Sequence, residues 1–281
     1  MKKFIAAFDG LSFSESTKDY AILLTKQASA HLVGVFLDDF TRRSYSVADI
    51  VKYEGEEFDK RMSTLDEHDK EVRDESIDKF ESACRDEGIN YSIHRNRNIA
   101  LHELLHESIY ADLLIINSKE TITRYEEQPP SRFIRELLSE VQCPVLLVPD
   151  NYRNYEKVIL LYDGEPSSVH AVRSFSYLFE SLKDLDTEVV TVKSMEDSLH
   201  LPDNRLMKEF MKRHYPNAQY VILKGRFEDE ILQYLHREKK NAIVVLGAYR
   251  RNKVSRLFRP SMADHLMQHL KMPLFVAHNK S

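Results

Sequence analysis

Short apolar runs recur along the chain, each bounded by polar loops, and alternate with segments whose apolar residues return every three or four positions. In the first half the runs are Lys3–Phe8, Leu32–Leu37, a shorter stretch near Tyr91–His94, Leu113–Asn117 and Val145–Val148. They are rich in Val, Ile and Leu and do not alternate with polar residues, the pattern of parallel strands covered on both faces. Between them the spacing predicts helices over about Ser14–Ala30, Ile99–Tyr110 and Ser131–Val141. Strand–helix alternation of this kind requires right-handed crossovers and gives an open, doubly wound α/β sheet. Ligands of such sheets bind outside the carboxyl ends of the strands, where the strand order reverses. Asp9, Asp163 and the loops after Asn117 and Gly247 all fall at those ends.

The pattern is written twice. Ala111–Asn117, Pro130-Ser131 and Cys143-Pro144-Val145 return 130 residues later as Asn241–Gly247 and Pro260-Ser261, and then, one residue sooner, as Met272-Pro273-Leu274. Upstream, the run from Lys3 to Asp9-Gly10 is echoed from Lys157 to Asp163-Gly164, and Arg97–Asp112 matches Phe227–Ala242 with His106 and His236 in register. Such self-similarity means tandem copies of one unit. The expected domains are residues 1–149 and 156–281, joined by a short polar linker over Pro149–Tyr155. From about 56 to 87 the first copy carries a charged helical segment that the second is expected to lack, with apolar residues at Phe58, Met62, Leu65, Val72 and Phe80. It reads as a solvated helix with one face on its own domain, the alternative being an oligomer or partner contact.

Composition narrows the class. A chain of 281 residues, 42% hydrophobic and 30% charged, suits two packed cores. No apolar run reaches the ~18 residues of a membrane span, so no membrane association is expected. The N-terminal apolar run is broken by Asp9 and reads as a strand, not a signal peptide. Cys84 and Cys143 make no disulfide framework, and the expected compartment is the cytoplasm. The net charge of −5 is unevenly spread. Residues 1–150 hold 19 Lys and Arg against 29 Asp and Glu, a balance of −10, and residues 151–281 hold 21 against 16, a balance of +5. An anionic ligand would favour the second copy.

The Asp-Gly end of the first strand, the Pro-Val-Leu-Leu-Val ending and the fourth-strand loop together resemble the universal stress protein family in tandem form. The likeness covers nearly the whole chain apart from the charged helix. It implies two α/β sandwiches of the flavodoxin-like or adenine-nucleotide-hydrolase-like kind, each with five mainly parallel strands. The nucleotide-binding branch of that family carries Gly-x2-Gly-x9-Gly-[Ser/Thr] after strand four. Glycines there let backbone N–H groups approach phosphate oxygens, and the next helix turns its positive end toward them. The second copy reads Gly247-Ala-Tyr-Arg250, nine residues, Pro260-Ser261, so it keeps the first glycine and the serine. The first copy reads Asn117-Ser-Lys-Glu120, nine residues, Pro130-Ser131, and keeps no glycine. Pro130 and Pro260 each lack an N–H, and Glu120, Glu126 and Glu127 place carboxylates where phosphates would sit. Arg250, Arg251, Lys253, Arg256 and Arg259 give the second loop a cationic alternative to glycine backbone.

By the resemblance, Asp163 would accept from an adenine amino group and the backbone of Val192 would lie beside the base. Gly247, Arg250, Ser261 and Met262 would face ribose and phosphates. The competing reading of Asp9 and Asp163 is turn-making, since Asp-Gly after a strand is a common turn pair and its carboxylate can cap the next helix.

His102-Glu103-Leu104-Leu105-His106 matches the H-E-x-x-H zinc helix. The matching helix of the second copy has Leu232 at the first His position, and no third ligand follows in a recognisable pattern, so no metal site is expected. His265 and His269 read as a chance pair, and neither cysteine has a histidine placed beside it. No catalytic constellation emerges. The leading expectation is a non-enzymatic cytoplasmic stress-response protein, its nucleotide site lost in the first half and degenerate in the second. The alternative is a protein that binds ATP or another adenine nucleotide in the second half, with slow hydrolysis. The partners expected are that nucleotide and a protein of unknown identity, with nucleic acid not among them. The halves are expected to form an intramolecular pseudo-dimer through their last strands, with a homodimer left open.

Overall fold

The structure is a computed structural model that describes residues 1–39, 42–196, 200–247 and 262–277. Its first half contains β1 (Lys3–Asp9), α1 (Glu15–Ala28), β2 (His31–Asp39), a short α2 (Val47–Ile50), α3 (Gly55–Asp86), β3 (Tyr91–Asn98), α4 (Ala100–Ser108), β4 (Leu113–Asn117), α5 (Arg132–Glu140) and β5 (Val145–Val148). The second half repeats the plan with β6 (Lys157–Leu161), α6 (Pro166–Leu178), β7 (Asp186–Lys193), α7 (Asn204–His214), β8 (Gln219–Lys224), α8 (Phe227–Arg237), β9 (Ala242–Gly247), α9 (Met262–His269) and β10 (Leu274–Ala277).

The two expected five-stranded sheets are the halves of one continuous ten-stranded sheet, ordered β3-β2-β1-β4-β5-β10-β9-β6-β7-β8. Within each half neighbouring strands run parallel. At the seam, β10 pairs antiparallel with β5, Leu274 opposite Leu147 and Val276 opposite Val145. Pairing there buries two apolar strands that would otherwise be open edges. Because the seam is antiparallel, the carboxyl ends of the two halves point in opposite directions. The two points where strand order reverses, β1/β4 and β6/β9, therefore open at opposite ends of the sheet.

Strand side chains alternate between faces, so one core gathers Phe4, Ala6 and Phe8 and the other Ile5 and Ala7. The first core is completed by α1, α3, α6 and α7 through Tyr20, Phe80, Phe175 and Met211. The second is completed by α4, α5, α8 and α9 through Leu104, Leu137, Leu235 and Leu266. The linker is tied to both halves. Tyr20 donates to the Arg153 carbonyl at 2.8 Å, Asn241 donates to the same carbonyl at 2.7 Å, and the Tyr155 hydroxyl bonds the Gln27 amide.

The charged helix of the first half is not an insertion without counterpart, which corrects the expectation from sequence. α3 bridges β2 to β3 as α7 bridges β7 to β8. Strand register sets Gln219 in the place of Ser92, which brings Met207 and Met211 to the places of Phe80 and Cys84. What differs is length, 32 residues against 11. The buried stripe of α3 is Asp69, Arg73, Ser76, Phe80 and Cys84, spaced by three and four as a helix facing a core must be. Its apolar end packs Phe80 on the face of β2, where a Cβ on Gly34 would lie 2.7 Å from the ring. Its polar end reaches past the sheet to the carboxyl end of β1.

Candidate functional site

At the first crevice the strand-end carboxylate is already engaged. Asp9 is 2% exposed; one carboxylate oxygen accepts the Leu11 N–H at 3.0 Å and the other the Arg42 Nε–H at 2.8 Å. Arg42 is itself buried. A buried ion pair persists only when its geometry and further hydrogen bonds repay desolvation, and the lengthened α3 supplies that support. Arg73 donates to the Arg42 carbonyl at 3.0 Å and pairs with Asp38 at 3.3 Å. Asp69 accepts the Ser44 N–H at 3.1 Å, and Ser76 donates to the Gly10 carbonyl at 2.8 Å.

The strand-four loop of this half is likewise closed on itself. Glu120 accepts the N–H groups of Thr121 and Ile122 at 2.9 and 3.0 Å, while its carbonyl accepts from Ser131. Ser131 also caps α5 by accepting the Ile134 N–H at 3.1 Å. Glu127 accepts the Arg132 N–H at 2.8 Å, and Glu126 is exposed. Burial, reinforced by the Asp9 charge, pushes the Glu120 carboxyl up to about 7 against the opposing pull of the two amides and Arg42. Ile122 sits at φ 53°, a left-handed conformation costly for a β-branched residue.

The second crevice is built from the same places with different contents. Asp163 is exposed and accepts the Glu165 N–H at 2.9 Å, so the turn-making role exists. Among the described residues no cation pairs with it. Beside it a small cleft is lined by Leu161, Asp163, Ser168, Phe227, Leu246, Gly247 and Met262. Gly247 forms its floor at very short range, since a Cβ there would lie 2.4 Å from the Ser167 carbonyl carbon and 2.6 Å from the Ser168 nitrogen. α6 starts three residues after Asp163, whereas α1 starts six after Asp9, which is why the equivalent Asn117 has room for a side chain.

Of the residues singled out by sequence, Asp163, Gly247 and Met262 come together in this cleft. Val192 lies on β7, paired with Leu223 of β8 and half-buried, and is not among the lining residues. Arg250 and Ser261, with the rest of the basic loop, lie outside the described residues. Sequence reasoning missed Phe227 and Ser168, which only the fold brings to the cleft. It also missed Arg42, which sits in a segment with no periodic signal.

The remaining motifs are placed simply. His102 and His106 are exposed on α4, and the His269 ring bonds the His265 carbonyl at 2.8 Å. No group of three or more metal-capable side chains occurs among the described residues, and no described helix is long and apolar enough to cross a membrane. Cys84 and Cys143 are buried, and burial pushes both thiols up to about 12.

No family model matches the chain. Universal stress protein Slr1230 of Synechocystis sp. is 19% identical over 98% of this chain and 99% of its own length. The chain resembles the universal stress proteins over its whole length. Among solved structures, a universal stress protein from Archaeoglobus fulgidus DSM 4304 superimposes with a TM-score of 0.71 at 16% identity, covering 99% of this chain and 98% of that one. A functionally unknown protein from Pseudomonas aeruginosa PAO1, PA1789, gives 0.63 at 11% identity, over 99% and 92%. These likenesses establish the fold: the doubly wound α/β architecture of the universal stress proteins, here in tandem.

Proposed function

We propose that the protein is a tandem universal stress protein of the cytoplasm that acts by binding, and that an adenine nucleotide occupies its second crevice alone. The observation that carries this reading is the contrast between two equivalent carboxylates. Asp9 is sealed under Arg42, whereas Asp163 stands exposed at the mouth of a cleft. An ionised carboxylate only accepts hydrogen bonds, so it selects a ligand edge that carries N–H groups, as the adenine amino group does. Walls of Leu161, Leu246, Phe227 and Met262 suit a flat apolar ring. The five basic residues from Arg250 to Arg259 follow directly in sequence and would answer the phosphates.

In the first half the groups that would meet a nucleotide already have partners within the chain: Arg42 on Asp9, Glu120 on two loop amides and Glu127 on the first amide of α5. On this reading the halves, residues 1–149 and 156–281, share a fold and differ in occupancy. Phosphoryl transfer would need a metal-holding carboxylate and a group to orient the nucleophile. Asp163 is the single carboxylate among the described residues lining the cleft, which favours binding without turnover.

Calorimetric titration of ATP, ADP and AMP tests the proposal. One micromolar site per chain is expected, weakened at least tenfold by Asp163→Ala, a change of about 1.4 kcal/mol or more. No saturable heat at millimolar nucleotide, or binding indifferent to Asp163→Ala, would reject it. Steady phosphate release with Mg²⁺ would reject the non-enzymatic part.

A further inference from the structure

The ten-stranded sheet ends on two edges, β3 and β8, and they are finished differently. β3 is guarded by charge: Arg95 pairs with Asp74 and Asp38, the usual protection of an edge against a further strand. β8 carries no charged side chain from Gln219 to Leu223, and among the described residues no strand lies beyond it. Register fixes its outward groups. Gly225 donates to the Lys193 carbonyl of β7 at 3.0 Å, and alternate residues of a parallel strand turn their backbone to the same neighbour. The backbone groups of Val221 and Leu223 therefore face β7, and those of Tyr220 and Ile222 turn outward.

The two faces beside this edge differ in character. Tyr220 and Ile222 lie on the α7 side, where Lys208 Nζ stands 6.0 Å from the Tyr220 ring centroid. Arg205 and Lys212, three positions before and four after, share that face of α7, and all three cations are exposed. Glu209 is drawn to Arg213, and among the described residues no carboxylate pairs with the row of three. The matching places on α3 hold Asp78, Glu81 and Arg85, so the cationic row belongs to the second half alone. On the opposite face Val221 and Leu223 are half-buried apolar side chains.

We propose that β8 takes up an extended acidic segment of a partner protein as an eleventh strand. Laid antiparallel, the stronger ladder, the segment would exchange N–H···O=C bonds directly with Tyr220 and with Ile222. Neighbouring strands lie about 4.8 Å apart, so its side chains opposite those two residues stand within reach of the α7 row. Carboxylates there answer Arg205, Lys208 and Lys212. The residues between them turn to the other face, where apolar side chains cover Val221 and Leu223. The recognised chemistry is thus strict alternation of acidic and apolar residues. A second copy of this chain fits less well, because two-fold pairing of β8 would set two cationic rows on one face. The surface is independent of any nucleotide in the second crevice.

The test uses the full chain and a capped synthetic peptide of alternating Glu and Val, with alternating Lys and Val as its control. The Glu peptide should give saturable amide NMR shifts and slowed exchange at Tyr220 and Ile222. The Lys peptide should bind at least about tenfold more weakly, and so should the Glu peptide to Lys208→Glu/Lys212→Glu, which alters exposed positions only. N-methylation of the peptide at its Glu residues removes the donors to the Tyr220 and Ile222 carbonyls and should abolish binding. Unchanged exchange at both amides with millimolar peptide, equal affinity for the two peptides, or binding indifferent to N-methylation or to the charge reversal would overturn the proposal. So would protection of the same amides that grows with protein concentration in the absence of peptide, since that assigns the edge to a second copy.

Discussion

Arg42→Ala is expected to cost about 3–5 kcal/mol of stability at pH 7, the penalty for leaving a buried carboxylate without its cation. The substitution removes the Nε–H that Asp9 accepts at 2.8 Å and leaves the Leu11 N–H as the remaining partner of that side chain. Asp9 is 2% exposed, so water cannot easily replace the guanidinium. The segment that carries residue 42 loses an anchor as well, although Arg73 still holds the residue 42 carbonyl. Adding Asp9→Asn to the same chain removes the charge while keeping an acceptor for Leu11, and should return most of the loss. Urea unfolding of the wild type, the single variant and the double variant measures this directly. A loss below about 1 kcal/mol for Arg42→Ala would place the pair among exposed salt bridges and contradict a sealed first crevice.

Gly247→Ala should destabilise by about 1–3 kcal/mol, the usual cost of forcing an extra methyl into packed structure. The effect belongs at the upper end because the atoms it meets are backbone. A Cβ would stand 2.4, 2.5 and 2.6 Å from the Ser167 carbonyl carbon, the Ser167 oxygen and the Ser168 nitrogen, so α6 itself must move. The same shift displaces Ser168 and the cleft floor, and nucleotide affinity should fall with stability. Asn117→Ala at the matching place in the first half should be milder, since it deletes two long side-chain contacts to Ser14 and Asp150 and the hydrogen bond accepted from the Lys119 N–H at 2.8 Å, but pushes no backbone aside. Thermal unfolding and nucleotide titration of both variants make the comparison. A Gly247→Ala protein as stable as wild type would mean that α6 slides freely at its first turn.

These two residues also mark how far the chain could be read. Leu113–Asn117 and Val145–Val148 stand as β4 and β5, because a short run of Val, Ile and Leu between polar loops has few alternatives to a buried parallel strand. β2 and β3 run on to Asp39 and Asn98, past the apolar signal, because their polar ends pair with each other at the rim of the sheet. Pro-Ser before α5 was legible as a helix start, and Ser131 does cap it. Gly247 stood out for its place in a phosphate-loop pattern, whereas its contact with the α6 backbone came into view only with the fold.

The sequence by itself determined where the strands and the longer helices of the first half lie, that the plan is written twice, and that Asp9 and Asp163 close equivalent strands, but not that α7 answers the charged helix. Those properties depend on periodicity and on turn chemistry, which act over a few residues. Tertiary structure alone decided that one carboxylate is sealed and the other open. Sealing depends on Arg42 reaching Asp9 across 33 positions and on α3 being long enough to hold it there, and both are facts of packing between distant segments. No local pattern encodes the partner of a buried charge, because the energy that selects it exists only once water has been excluded.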